Sequence, residues 1–130
     1  MKYFICALDK INLGIPAEQT ERIIQVTRVQ GAVYETENQE VFVSLPVLLR
    51  QKDSSAPHGV VLKSNTGESS AVKTVLLTPR IDVELEIPEE NIHSLPEALG
   101  GLFKYFRGAY CTDQNVILIL NPQKLIESML

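Results

Sequence analysis

The residues from Ile81 to Ile87 alternate strictly between apolar and acidic side chains. The apolar positions are Ile81, Val83, Leu85 and Ile87, and the acidic positions are Asp82, Glu84 and Glu86. Successive side chains of a β-strand point to opposite faces of its sheet. The segment therefore predicts a strand with one buried face and one solvated acidic face. Pro88 ends the strand, because proline cannot donate to the ladder.

The same reasoning predicts strands over most of the chain. Short runs rich in β-branched and aromatic residues, bounded by turn residues, are typical of strands. They are Tyr3–Leu8, Leu13–Pro16, Val41–Leu45, Gly59–Lys63, Ala71–Leu77, Tyr105–Thr112 and Val116–Leu120. The segment Glu21–Val29 also favours a strand, with a helix over Ala17–Val26 as the competing interpretation. The chain is thus mainly antiparallel β, and many short strands indicate barrels or a sandwich.

The last segment, Asn121–Met129, predicts a short helix. Asn121 is a favourable N-cap residue and Pro122 suits the first helical position. An apolar stripe follows at helical spacing, formed by Leu125, Ile126, Met129 and Leu130. We expect this stripe to contact the core of the domain rather than to bind a partner.

The composition is that of an ordinary globular protein. A chain of 130 residues with 45% hydrophobic and 22% charged residues forms one domain, or two small subdomains sharing a core. No apolar run approaches the roughly 18 to 20 residues that a membrane-spanning helix needs. The segment Met1–Phe4 lacks the layout of a signal peptide. We therefore expect a cytoplasmic protein.

The charge distribution argues against two classes of partner. The formal net charge is -4, and the densest charges are acidic. They are Asp82, Glu84, Glu86, Glu89, Glu90 and Glu97. Nucleic acids and anionic membrane surfaces attract basic patches instead. We interpret the acidic residues as a solvated strand face, and we predict neither nucleic-acid binding nor membrane insertion.

No set of residues predicts catalysis, a metal site or a cofactor. His58 and His93 are the only histidines, and neither has a second ligand at metal-binding spacing. Cys6 and Cys111 lie in apolar runs and are predicted to be buried thiols, although the sequence alone does not exclude a disulfide. The arginines are scattered and are interpreted as surface residues; they are Arg22, Arg28, Arg50, Arg80 and Arg107.

Three groups of short segments, taken together, form a pattern that extends along the chain. The first group is Phe4–Leu8, Leu13-Gly14-Ile15-Pro16-Ala17 and Glu21-Arg22-Ile23-Ile24. The second is Val75-Leu76-Leu77, Val83–Ile87, Pro88 and Ile92 to Pro96. The third is Phe106-Arg107-Gly108-Ala109, Val116–Leu120 and Asn121-Pro122-Gln123-Lys124-Leu125. Together they span nearly the whole chain, although each motif is short. They resemble the CheW-like domain family, the adaptor modules of bacterial chemotaxis complexes.

The resemblance implies a fold and a function. It implies one domain over residues 1–130, built from two intertwined, SH3-like, five-stranded β-barrels with a short C-terminal helix. It also implies a non-enzymatic adaptor without a cofactor. Its partners would be the regulatory domain of a CheA-type histidine kinase and the cytoplasmic tips of chemoreceptors. The positions expected to contact partners are Thr20, Arg22, Arg50 and Gly108.

The sequence departs from the family pattern at two places. The family's Asn-Leu-Arg-Gly segment is missing, and Tyr34–Glu40 stands in its position. The family's Val-x-Glu becomes Thr20-Glu21-Arg22, which replaces an acid with a base at Arg22. Charge complementarity governs the choice of partner. Two alternatives therefore stay open: a diverged CheW-like scaffold with another protein partner, and a small β-barrel that binds a ligand or catalyses a reaction between its subdomains.

Overall fold

A computed structural model describes residues 1–8, 11–25, 40–49, 58–63, 73–95 and 104–128. These residues form nine strands, two helices and two 3-10 turns. The strands are β1 Lys2–Leu8, β2 Ile11–Pro16, β3 Thr20–Gln25, β4 Glu40–Ser44, β5 His58–Leu62, β6 Lys73–Thr78, β7 Ile81–Glu86, β8 Phe106–Cys111 and β9 Val116–Leu120. The helices are α1 Leu45–Leu48 and α2 Pro122–Ser128, and the 3-10 turns are Ala17–Gln19 and Glu89–Asn91.

The chain divides into two compact units. The terminal unit combines both ends of the chain, Met1–Gln19 and Ile81–Leu130. The central unit is the continuous segment Thr20–Arg80. Each unit contains one of the two sheets.

The sheet of the terminal unit has five strands in the order β7-β1-β2-β9-β8. Strand β1 pairs antiparallel with both β2 and β7, and β8 pairs antiparallel with β9. Strand β2 pairs parallel with β9, so the two ends of the chain meet inside one sheet. A buried cluster fills this unit, formed by Tyr3, Ile5, Ile87, Ile117 and Ile119. Burying side chains of this size contributes about 1.5–3 kcal/mol each.

The sheet of the central unit has four strands in the order β3-β5-β6-β4. Strand β5 pairs antiparallel with β3 and β6, and β4 pairs parallel with β6. The cluster on one face contains Phe42, Val61, Val75 and Leu77, with Ile24 packed against it. Val60 and Leu76, which point to the other face, are also fully buried. This burial on both faces explains why β5 and β6 are nearly continuous apolar runs.

Most predicted elements are confirmed. The segment that begins at Glu21 is a strand over its described part, which decides against the competing helix. Helix α2 begins after Asn121, whose Oδ1 accepts a hydrogen bond from the Lys124 N–H at 3.3 Å. Leu125 is buried, as expected for a residue of the apolar stripe. Met129 and Leu130 lie outside the described residues.

The predicted strand Val41–Leu45 overlaps the start of helix α1, which begins at Leu45. The Ser44 hydroxyl accepts a hydrogen bond from the Val47 N–H at 3.4 Å, and Pro46 lies in the first turn. A serine N-cap and an early proline both stabilise the start of a helix. The strand therefore ends one residue before the predicted boundary.

The predicted buried face of β7 is wrong at Val83, whose side chain is 58% exposed. Phe4 pairs with Glu84 and Cys6 with Ile81, so β7 advances three residues while β1 advances two. The extra residue is a β-bulge, which breaks the alternation and turns side chains to new directions. Cys111 is likewise exposed rather than buried, since it lies at the end of β8, while Cys6 is buried as predicted.

The mainly β class is confirmed, whereas the closed barrels are not. In the described ranges the strands form one five-stranded and one four-stranded sheet, and neither closes on itself. None of the helices in these ranges is long and apolar enough to cross a membrane.

Gly108 lies where two backbone segments come unusually close. The N–H groups of His93 and Ala109 each donate to the other residue's C=O, at 2.9 and 2.8 Å, which covers the outer edge of β8. A Cβ atom on Gly108 would lie 2.4 Å from the carbonyl oxygen of His93. Only glycine permits this approach without displacing the backbone.

We predict that Gly108→Ala lowers the free energy of unfolding by about 1–3 kcal/mol, because the methyl group must push the His93 backbone away. Gly14→Ala is the matched control. Its Cβ would meet the Ile119 Cδ1 at 3.0 Å, the end of a flexible side chain, so we expect a smaller loss. Urea unfolding of the three proteins measures both values. Equal stability of Gly108→Ala and the unmodified chain would contradict this account.

Candidate protein-binding surface

Two of the residues predicted to bind partners, Thr20 and Arg22, lie on β3 in the central unit. Strand β3 is at the edge of its sheet and pairs, within the described residues, with β5 alone. Thr20 pairs with Leu62 and Arg22 with Val61, so Glu21 is an extra residue in a bulge. Bulges at sheet edges redirect side chains. Glu21 and Arg22 are consequently both exposed, whereas Thr20 is buried.

An ion pair fixes Glu21 on this surface. The Lys73 Nζ lies 2.7 Å from Oε1 and 2.8 Å from Oε2 of Glu21. This hydrogen bonding lowers the pKa of the Glu21 carboxyl, and the positive charges of Arg22 and Lys63 lower it further. Glu21 therefore carries its charge at neutral pH.

The next residue along β3 is apolar and exposed. The Ile23 side chain is 42% accessible to solvent, although Ile24 packs against the core. Strand β3 therefore carries a charged pair and an exposed aliphatic side chain side by side. We name Glu21, Arg22, Ile23 and Lys73 the β3 surface. A partner that met this surface would contact Arg22 directly and Thr20 much less.

The other two predicted residues lie elsewhere. Gly108 is in β8 of the terminal unit, where it is buried beneath the backbone of His93. Its packing is a sufficient physical reason for a glycine, and its predicted role in partner binding stays a prediction. Arg50 and the segment Tyr34–Gln39 lie outside the described residues.

A polar cluster in the terminal unit was not predicted from the sequence. The Tyr3 hydroxyl donates to Glu89 Oε1 at 2.9 Å and accepts from Arg107 Nη1 at 3.2 Å. Arg107 Nη2 also donates to Glu89 Oε2. The three side chains come from β1, the 3-10 turn after β7, and β8. They therefore link three elements that are far apart in the sequence.

The cluster shifts the pKa values of all three groups. Burial raises the pKa of Tyr3 to about 12, and its hydrogen bond to Glu89 adds to the increase. The Arg107 guanidinium lowers the pKa of the Glu89 carboxyl, and Glu89 in turn raises the pKa of Arg107. The stable arrangement at neutral pH is a neutral tyrosine between a carboxylate and a guanidinium.

The sequence offers one weak sign of this cluster. Arg107 precedes a glycine. In the structure it occupies a bulge, since Phe106 pairs with Leu120 while Gly108 pairs with Ile119. Nothing local connects it with Tyr3, which is 104 residues away. The interpretation of Arg107 as a scattered surface residue is therefore incomplete.

Two other observations concern small-molecule and metal sites in the described residues. A groove of about 410 Å³ is lined by Lys104, Tyr105, Lys124 and Glu127. Three of these four side chains are charged. The described ranges contain no group of three histidine, cysteine or acidic residues arranged to hold a metal ion.

The polar cluster predicts a specific dependence of stability on pH. An unfolded tyrosine ionises near pH 10, and Tyr3 in the folded chain ionises near 12. Tyr3 therefore stays protonated to a higher pH in the folded state than in the unfolded state. Its contribution to stability is lost as the pH rises from about 10 to about 12. Tyr3→Phe should remove this alkaline loss and should cost about 1 kcal/mol at pH 7.

Unfolding in urea between pH 7 and pH 12 measures both effects. Tyr110→Phe removes a hydroxyl from the same unit but outside the polar cluster of Tyr3, Glu89 and Arg107. We expect this variant to retain the decrease in stability at alkaline pH. The account is wrong if Tyr3→Phe and the unmodified chain lose stability equally between pH 10 and pH 12.

Comparison with known proteins identifies the fold. No family model matches the chain, and no curated protein matches its sequence. Its structure is similar to the crystal structure of scaffolding protein TtCheW from Thermoanaerobacter tengcongensis, with a TM-score of 0.72. The match covers 92% of this chain and 83% of that chain, at 12% sequence identity. The protein therefore has a CheW-like fold, and a likeness at this identity shows the fold alone.

Proposed function

We propose that the protein is a non-enzymatic adaptor in chemotaxis-type signal transduction. It couples chemoreceptors to a CheA-type histidine kinase through protein–protein contacts. The observation that carries this proposal is the similarity to a scaffolding CheW protein over 92% of the chain. A fold alone does not define a function. The sequence motifs that resemble the same family supply an independent argument in the same direction.

The proposal includes the finer features that the resemblance implies. The two sheets would belong to SH3-like, five-stranded barrels that the described strands do not close, within a single domain over residues 1–130. The protein would act in the cytoplasm. The contact residues are Arg22, Arg50 and Gly108, together with Thr20 at the start of β3. Among them Arg22 has the clearest physical support, because it is exposed on an edge strand beside Ile23.

Calorimetric titration tests the proposal directly. The intact chain is titrated with the regulatory domain of the CheA-type kinase, and separately with a chemoreceptor tip, both from the same organism. We expect binding to at least one of them with a Kd in the micromolar range, about -8 kcal/mol. Absence of binding to both proteins would overturn the proposal.

The substitution Arg22→Glu tests the β3 surface. It reverses a charge next to Ile23 and places two acids side by side, so we expect kinase binding to weaken by roughly tenfold at low salt. The loss should shrink as salt screens the exposed charge. Lys124→Glu makes the same change of net charge on α2 of the terminal unit and should leave binding within about twofold of the unmodified chain.

The second candidate function is a diverged scaffold with another protein partner. Stronger rather than weaker kinase binding by the Arg22→Glu variant would favour it. The base at position 22, where the family has an acid, is the observation that favours this alternative. If Arg22→Glu strengthens kinase binding, the chain has moved away from the family's partner. Restoring an Asn-Leu-Arg-Gly sequence within Thr36–Val41 should then create or increase kinase binding. Strong binding before that change would exclude the alternative.

A further inference from the structure

We propose that the outer edge of β7 binds an extended segment of another protein, in which basic and apolar residues alternate. The segment would add a strand to the sheet of the terminal unit. This inference is independent of the kinase and receptor contacts proposed above, because none of the residues assigned to those contacts lies on β7.

The position of β7 provides the backbone groups that such a segment needs. Strand β7 is the first in the order β7-β1-β2-β9-β8 and pairs, in the described part of the chain, only with β1. Ile87 exchanges both backbone hydrogen bonds with Met1, at 3.0 and 3.5 Å. Neighbouring positions of an antiparallel strand alternate in direction. The N–H and C=O groups of Glu86 and Glu84 therefore point away from β1.

An exposed apolar side chain lies next to these groups. Val83 is 58% exposed, because the bulge between Ile81 and Glu84 turns it to solvent. Val116 is similarly exposed, at 53%, but its strand β9 is flanked by β2 and β8. Val83 thus combines exposure with an edge position, and Val116 does not. The register between Glu84 and Glu86 is regular, so the bulge does not interrupt pairing there.

The negative charge along the β7 edge favours a partner segment with basic residues. Strand β7 itself contains three acidic residues, Asp82, Glu84 and Glu86, and no basic residue. Glu84 and Glu86 contact Lys2 and the Met1 amine at 3.5 and 2.8 Å, yet their side chains remain 42% and 64% exposed. Like charges directly opposite each other destabilise a strand pair. A second copy of β7 is therefore a poor occupant, and a segment with lysine or arginine at alternate positions is a favourable one.

The test uses the intact chain and a synthetic peptide, acetyl-Lys-Val-Lys-Thr-Lys-Val-Lys-amide. We expect binding that weakens with salt, together with slower hydrogen exchange at the Glu84 and Glu86 amides. Two peptides serve as controls. One replaces every lysine with glutamate, and the other keeps the lysines but replaces the intervening residues with glycine. Equal binding of the lysine–glycine peptide would overturn the proposal, because it would show attraction of charge without strand pairing.

Two matched pairs of variants examine the backbone and the side chain separately. Glu84→Pro removes an outward-pointing N–H and a charge, whereas Glu84→Gln removes the charge alone. A proline is tolerated on an edge strand where its missing N–H faces solvent. We expect Glu84→Pro to weaken peptide binding at least about tenfold and Glu84→Gln less than about fivefold. Equal effects of the two substitutions would contradict strand addition.

The second pair decides the question if Glu84→Pro fails to fold, which circular dichroism reveals. Val83→Asp adds a charge to the proposed edge, and Val116→Asp adds the same charge to a flanked strand of the same sheet. We expect at least about a fivefold loss of peptide affinity for Val83→Asp and less than about a twofold change for Val116→Asp. Similar effects of both would overturn the proposal, and neither result depends on kinase binding.

Discussion

The parallel pairing of β2 with β9 is the constraint on which the terminal unit depends. It joins Asn12, Leu13 and Gly14 to Ile117, Leu118 and Ile119, and so connects the β7-β1-β2 part of the sheet with the β9-β8 part. A parallel pair requires a long connection. Here the whole central unit lies in that connection, since it spans the residues between the two segments of the terminal unit. The terminal unit is therefore complete only when both ends of the chain are present.

The edge strands of the two sheets differ in whether another segment covers them. This difference determines which edges a partner can contact. The edge of β8 is covered by the bridge between His93 and Ala109. The edges at β3 and β7 each contain a bulge and several charged residues. Such features prevent unselective pairing between sheets. They also leave Ile23 and Val83 exposed beside charges of defined sign, which allows each edge to distinguish among partners.

The candidate binding surface could be predicted only in part. The resemblance to a known family drew attention to Arg22, and the structure places it on an exposed edge. The ion pair between Glu21 and Lys73 spans 52 residues of sequence, and no local pattern indicates it. The contacts of Tyr3 with Glu89 and Arg107 span even more of the sequence, 86 and 104 residues. Pairs of this kind depend on which strands become neighbours, and a single sequence does not specify that arrangement.

The sequence by itself determined the elements whose cause is local. Alternation predicted β7, β-branched runs predicted β5 and β9, and Asn121 followed by Pro122 predicted the start of α2. Tertiary structure alone decided the parallel pairs, the bulge that exposes Val83 and the close approach that requires Gly108. The physical reason is the range of the interactions. Propensity and capping act within a few residues, whereas register and burial depend on contacts between segments that are distant in the chain.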